Sequence, residues 1–159
     1  MRNIAAVAVI LCSFAASLPA QADWQYTKWN MTREQVLAAA QGDAHADQVT
    51  KPRDRKIGDL DCSLVGRYAA EGIQFKSNFC FDKAARLKLV TLVPPYGTCH
   101  TLEKKLRAVY GKPSRGADTE IYVWRDAKKR NRVQLGFGFS PEECSLAYEP
   151  LRRPQGGGL

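Results

Sequence analysis

The sequence predicts a two-layer α+β fold in which two helices cover one face of a roughly six-stranded antiparallel sheet. Three observations predict it. Two segments of helical spacing each run into a glycine stop, at Gly42 and at Gly111. Each is followed by runs whose apolar residues recur with period two, as a half-buried strand requires. A displacement of 69 residues sets Thr32 on Thr101, Leu37 on Leu106, Gly42 on Gly111, Leu64 on Val133 and Tyr68 on Phe137. The plan is therefore a degenerate repeat of one helix plus three antiparallel strands.

Residues 1–22 read as a secretory leader. Arg2 precedes an apolar run from Ile4 to about Ala16, and Ala20-Gln21-Ala22 supplies an A-x-A cleavage site. The run is too short for a spanning helix, which needs roughly 20 apolar residues. Cys12 follows Leu11 rather than the small residue that precedes a lipid-modified cysteine, so it belongs to the discarded run. Cleavage between Ala22 and Asp23 is expected, which makes the chain periplasmic or secreted and not membrane-spanning. Of 159 residues, 137 remain, the size of one domain over residues 23–150 with a polar, glycine-rich tail at 151–159.

Export decides how the cysteines are read. Cys62, Cys80, Cys99 and Cys144 remain, an even number that predicts two disulfides. Zinc is the rival reading, but no C-x-x-C occurs and the chain has only two histidines. The repeat favours Cys62–Cys80 and Cys99–Cys144, one bond within each half. One difficulty stands against the first bond. If Ala70 faces Ile73 across the Glu71-Gly72 turn, Leu64 faces Phe79 and Cys62 faces Phe81, so bonding to Cys80 requires a bulge or a frayed end.

Each element has its own signals. Thr32 and Gln35 form a T-x-x-Q capping box, Met31 and Val36 are placed as a staple, and Glu34 suits the first turn of "EQVLAAAQ". The polar stretch "DAHADQVTKPRDRKIGD" reads as a loop or irregular strand. "CSLVGRYAA", "IQFKSNFCF" and "RLKLVTLV" are strands, the last ending at Pro94-Pro95. Leu102, Leu106 and Val109 share a helical face before Gly111 and Pro113. In the second half "EIYVWR", "VQLGFGF" and "CSLAYEPL" are strands, with Val133, Leu135, Phe137 and Phe139 expected on one face.

Candidate binding residues fall into three groups. Trp24 and Trp29 open the expected mature chain, either as core anchors for the N-terminal arm or as an aromatic shelf. Lys51, Arg53, Arg55 and Lys56 share one loop, with Asp54 as the only acid among them. Lys128, Lys129, Arg130 and Arg132 fill a hairpin turn beside Asp126. The mature chain carries 23 basic against 16 acidic residues, so these clusters are either solvated loops or a site for an anionic partner. Export excludes nucleic acid and points to an anionic envelope component or an acidic envelope protein.

No catalytic motif emerges. Cys99-His100 are sequence neighbours whose side chains do not face each other, and an oxidised Cys99 would leave no nucleophile. The acidic pairs Asp59/Asp61 and Glu142/Glu143 read as solvated turns, and "GFGF" at 136–139 is not followed by a dinucleotide fingerprint. No cofactor or metal is implied.

The segment "YTKWNMTREQVLAAAQG", a capped helix ended by glycine ahead of strands, resembles the opening of the SmpA/OmlA outer-membrane assembly proteins. The residues that carry the resemblance are Met31, Thr32, Val36 and Gly42, echoed at Tyr110-Gly111-Lys112-Pro113. The doubled helix-plus-strands plan with cysteines is similar to the related β-lactamase-inhibitor-protein fold. Asn30 stands where that family favours glycine, and the mature chain lacks a lipid-bearing cysteine. The resemblance implies a non-catalytic envelope protein that works by binding. The alternatives are a structural envelope accessory and a periplasmic hydrolase or redox protein with an unfamiliar site.

Overall fold

A computed structural model of the chain describes residues 23–46, 55–115 and 121–151. The leader, Lys51, Arg53 and residues 152–159 lie outside the described residues. A hairpin of β1 (Asp23–Trp24) and β2 (Thr27–Lys28) leads into α1 (Arg33–Ala40), then into the short strands β3 (Ala44–Ala46) and β4 (Lys56–Ile57). The long strands β5 (Leu60–Ala70), β6 (Ile73–Phe81) and β7 (Leu87–Val93) follow, and then α2 (Cys99–Tyr110). The short β8 (Ser114–Arg115) precedes β9 (Ile121–Asp126), β10 (Asn131–Phe137) and β11 (Cys144–Pro150).

Among the described residues nine strands form one sheet, in the order β3-β5-β6-β7-β11-β10-β9-β8, with β4 also paired to β5. All these pairings are antiparallel. The α+β class with two helices stands, but the sheet is larger than six strands. Its long strands are those with a readable period. β3, β4 and β8 are two or three residues each, too short to show one. The 69-residue offset sets β5 and β6 on β10 and β11, and β4 on the end of β9. It leaves β7 without a counterpart, and β7 is the strand that joins the halves by pairing with both β6 and β11.

Capping fixes the start of α1. The Thr32 hydroxyl accepts from the Gln35 amide, and the Gln35 side chain accepts from the Thr32 amide. The left-handed stop begins one residue before the expected glycine, at Gln41 with φ 49°. Asn30 has φ 70°, the conformation for which glycine is the least costly residue and asparagine a tolerated one. Its side chain accepts from Lys88 Nζ at 2.6 Å, tying the entry of α1 to β7.

The core lies on one face of the sheet. Leu64, Phe79, Val90, Tyr148, Val133 and Trp124 stand in one row across six strands. Val36 and Ala40 of α1 and Leu102 and Leu106 of α2 pack in the same cluster. Burying a Leu, Val or Phe side chain contributes about 1.5–3 kcal/mol, so this layer dominates the stabilisation. Two expected core residues are not in it. Val109 is 70% exposed, because the buried stripe of α2 steps by four from Leu102 through Leu106 to Tyr110. Phe139 is 108% exposed, because β10 ends at Phe137.

The structure joins Cys62 to Cys80 and Cys99 to Cys144. The register is Ala70 with Ile73, Tyr68 with Phe75 and Leu64 with Phe79, and then shifts so that Asp61 faces Phe81. The extra residue on β5 is the bulge that the first bond requires. It brings Cys62 beside Cys80, where both are buried with Leu89 on the sheet face away from the helices. The second bond ties the start of α2 to the start of β11.

Candidate functional site: the helix-free face of the sheet

Alternation puts the residues between the core positions on the opposite face, and no described helix lies over it. Its central row runs Val65, Asn78, Thr91, Ala147, Gln134 and Val123. Asn78 Nδ2 donates to Thr91 Oγ1 at 3.0 Å, and Gln134 Nε2 donates to Glu149 Oε1 at 2.9 Å. This face is polar and small-grained, unlike the aromatic core side.

Two cation pairs flank that row. Arg67 of β5 stands directly opposite Lys76 of β6. Arg125 of β9 stands directly opposite Arg132 of β10. Like charges directly opposite on neighbouring strands are destabilising, since their Cβ atoms lie only about 4.5–5.5 Å apart. Arg132 is neutralised by Glu149, to which its Nη1 donates. Arg67, Lys76 and Arg125 make no ion pair among the described residues. Lys76 and Arg132 are three strand intervals apart, about 14 Å, and lie two residues to opposite sides of the central row, about 13 Å along the strands. The two pairs therefore sit on a diagonal about 19 Å apart. Shallow depressions lie beside each pair, one lined by Arg67, Gln74 and Lys76, the other by Arg125, Arg132 and Glu149.

The described members of the predicted basic clusters, Arg55, Lys56, Lys128, Lys129, Arg130 and Arg132, do not form one patch. The β4–β5, β6–β7 and β9–β10 turns all emerge at the same end of the sheet. Lys56 and Lys128–Arg130 are therefore at one end, yet β4, which carries Lys56, and β10 are five strand intervals apart, about 24 Å. Arg55 is engaged, its Nε 3.7 Å from Asp61 Oδ1, and Arg33 Nη2 holds the other carboxylate oxygen at 2.7 Å. Lys128 and Lys129 are exposed at the turn, while Arg132 belongs to the open face itself.

Trp24 and Trp29 are not a ligand shelf. They are 3% and 7% exposed, packed in the core. Trp24 lies edge-on to Tyr68 and Phe79, and the Trp29 indole donates to Asn131 Oδ1 at 2.9 Å, anchoring the N-terminal arm to β10. Cys99, being disulfide-bonded, offers no thiol to His100. Arg67, Lys76 and Arg125 were not singled out from the sequence. The available signal was the pairing arithmetic of the hairpins, in which the register that sets Leu64 on Phe79 also sets Arg67 on Lys76.

No family model matches this chain, and no curated protein matches it. Among solved structures, a DUF4309 family protein (YjgB) from Bacillus subtilis is similar over 75% of this chain and 78% of its own, at 13% identity and a TM-score of 0.42. That likeness is too slight to carry an argument about fold or function.

Proposed function

We propose that the chain is an exported, non-catalytic binding module of the cell envelope whose helix-free sheet face receives an anionic partner. The observation that carries this reading is the set of cations without an ion pair among the described residues, Arg67 directly opposite Lys76 and Arg125 opposite the Glu149-paired Arg132, on a face that no described helix covers. A fold tolerates an opposition such as Arg67 against Lys76 at a small cost in stability, and an anion bridging it would remove that cost. Two disulfides accord with an oxidising compartment, and no described helix is long and apolar enough to cross a membrane. The likeness of the α1 entry to the SmpA/OmlA proteins supports an envelope role. The finer plan, a degenerate duplication of helix plus three strands, belongs to the same proposal.

The test is capture of partners from envelope extract by the purified protein, at about 0.05 M and 0.5 M salt, the range over which the Debye length contracts severalfold. Replacing Arg67, Lys76 and Arg125 with glutamine should abolish capture. Replacing Lys128, Lys129 and Arg130 should leave most of it. Capture that survives the first triple variant and high salt refutes the assignment of this face.

A further inference from the structure

The opposite end of the sheet has the opposite charge. Three described turns there, at residues 71–72, 94–98 and 138–143, hold Glu71, Glu142 and Glu143 with no lysine or arginine. Glu71 is paired with Lys105 at 3.2 Å, whereas Glu142 and Glu143 make no ion pair among the described residues.

Beside Glu142 lies a cleft of about 670 Å³, between the start of α2 and the β10–β11 turn. That volume is within the usual range of ligand pockets. Tyr122 and Phe137 line it, their ring centroids 5.8 Å apart and their planes at 89°, together with Phe139, Glu103, Glu142 and His100. The guanidinium of Arg107 already sits 5.0 Å from the Tyr122 ring centroid, and its Nε and Nη2 both lie 2.7 Å from Glu103 Oε1. One aromatic ring and one carboxylate of the cleft thus hold a guanidinium from the chain itself. Phe139 and Glu142 are a second ring and carboxylate of the same kinds, with no cation supplied to them by the described residues.

The rim is built before anything binds. Gly97 N donates to Glu142 O at 3.1 Å, Gly138 N donates to Glu143 O at 2.7 Å, and the Cys99–Cys144 bond clamps the two sides. Phe139 at 108% and Tyr96 at 70% exposure are large rings held at that end without cover from the described residues. A rim held this way loses little conformational freedom on binding.

We infer that this cleft binds an arginine side chain presented by a polypeptide partner, its guanidinium against the Phe139 ring and paired with the Glu142 carboxylate. Arginine fits because its planar fork satisfies a carboxylate while its face stacks on an aromatic ring. The exposed rings of the rim give the flanking residues of an extended chain a surface to lie on. This site is distinct from the basic face proposed above, and its failure would leave that proposal standing.

The probe is the blocked peptide acetyl-Gly-Gly-Arg-Gly-Gly-amide, followed by amide chemical shifts of the labelled protein. The expected result is saturable shifts at His100, Gly138 and Glu142. The citrulline peptide, of the same shape without charge, should bind about tenfold more weakly, as loss of a charge-assisted bond implies. Glu142→Gln and Phe139→Ser should each weaken binding about three- to tenfold while leaving the remaining amide spectrum unchanged. Citrulline binding as well as arginine, both variants binding like the parent, shifts confined to other residues, or no shift up to about 10 mM peptide, where even millimolar affinity would register, would each overturn the assignment.

Discussion

Lys76→Glu turns the opposition of Arg67 and Lys76 into an attraction, and it should make the protein more stable while impairing the proposed binding. The two side chains stand directly across neighbouring strands, both exposed. With charged heads about 7 Å apart, repulsion in water is about 0.6 kcal/mol, reduced to about 0.25 kcal/mol at physiological salt. Reversing one sign removes that repulsion and adds an attraction of equal size. The gain is then about 0.5 kcal/mol at physiological salt and about 1 kcal/mol at low salt, within the range measured for cross-strand pairs. Urea is the suitable denaturant because it adds no ions. The midpoint should rise at low salt, the slope should stay constant, and the gain should shrink by half or more in about 0.5 M salt, where the screening length is only a few ångströms. A variant no more stable than the parent at low salt, or one whose gain is indifferent to salt, refutes the electrostatic reasoning.

Further expectations follow from the core and the bonds. Replacing Cys62 and Cys80 together with alanine should lower stability by about 3 kcal/mol on the chain-entropy model for a loop of this length, read by urea denaturation against the non-reduced parent. Trp29→Phe removes the indole donor that reaches Asn131 and should cost about 1–3 kcal/mol, with the loss concentrated in the unfolding midpoint rather than in binding. Burial pushes the Tyr26 hydroxyl up to about 12, and the phenols of Tyr68, Tyr110 and Tyr148 are also raised by burial. A raised folded-state value means stability is intact below the ordinary tyrosine range, near 10, and is lost as pH rises from there. Denaturation midpoints should therefore be level from about pH 7 to 9.5 and fall between about pH 10 and 12, less steeply in Tyr26→Phe. The Tyr26 hydroxyl has no hydrogen-bond partner among the described residues, so that variant should be no less stable than the parent at neutral pH.

Much of this architecture is local in origin, and local information is present in the sequence. The capping box at Thr32 depends on residues three apart, and the β5–β6 register depends on a two-residue turn and a period of two. Those are short-range constraints, so the helix start, the long strands and even the opposition of Leu64 and Phe79 follow from the sequence alone. The disulfide pairs were expected for a related reason, since each joins cysteines within one half of the chain. What the tertiary structure decided is everything that depends on distant segments. Trp29 reads as a core anchor from the sequence, but its hydrogen-bond partner, Asn131, is 102 residues away, and no pattern near either residue announces that contact. Phe139 continues the alternation of β10 but is exposed, because the pull of Gly138 toward Glu143 ends the strand first. The basic clusters looked equivalent in sequence, yet the order of strands puts Lys56 and Lys128–Arg130 about 24 Å apart at one end of the sheet. The same order collects the acidic turns at the other end. Charge along the chain is set residue by residue, but the face on which charges meet is set by strand pairing, which only the folded chain contains.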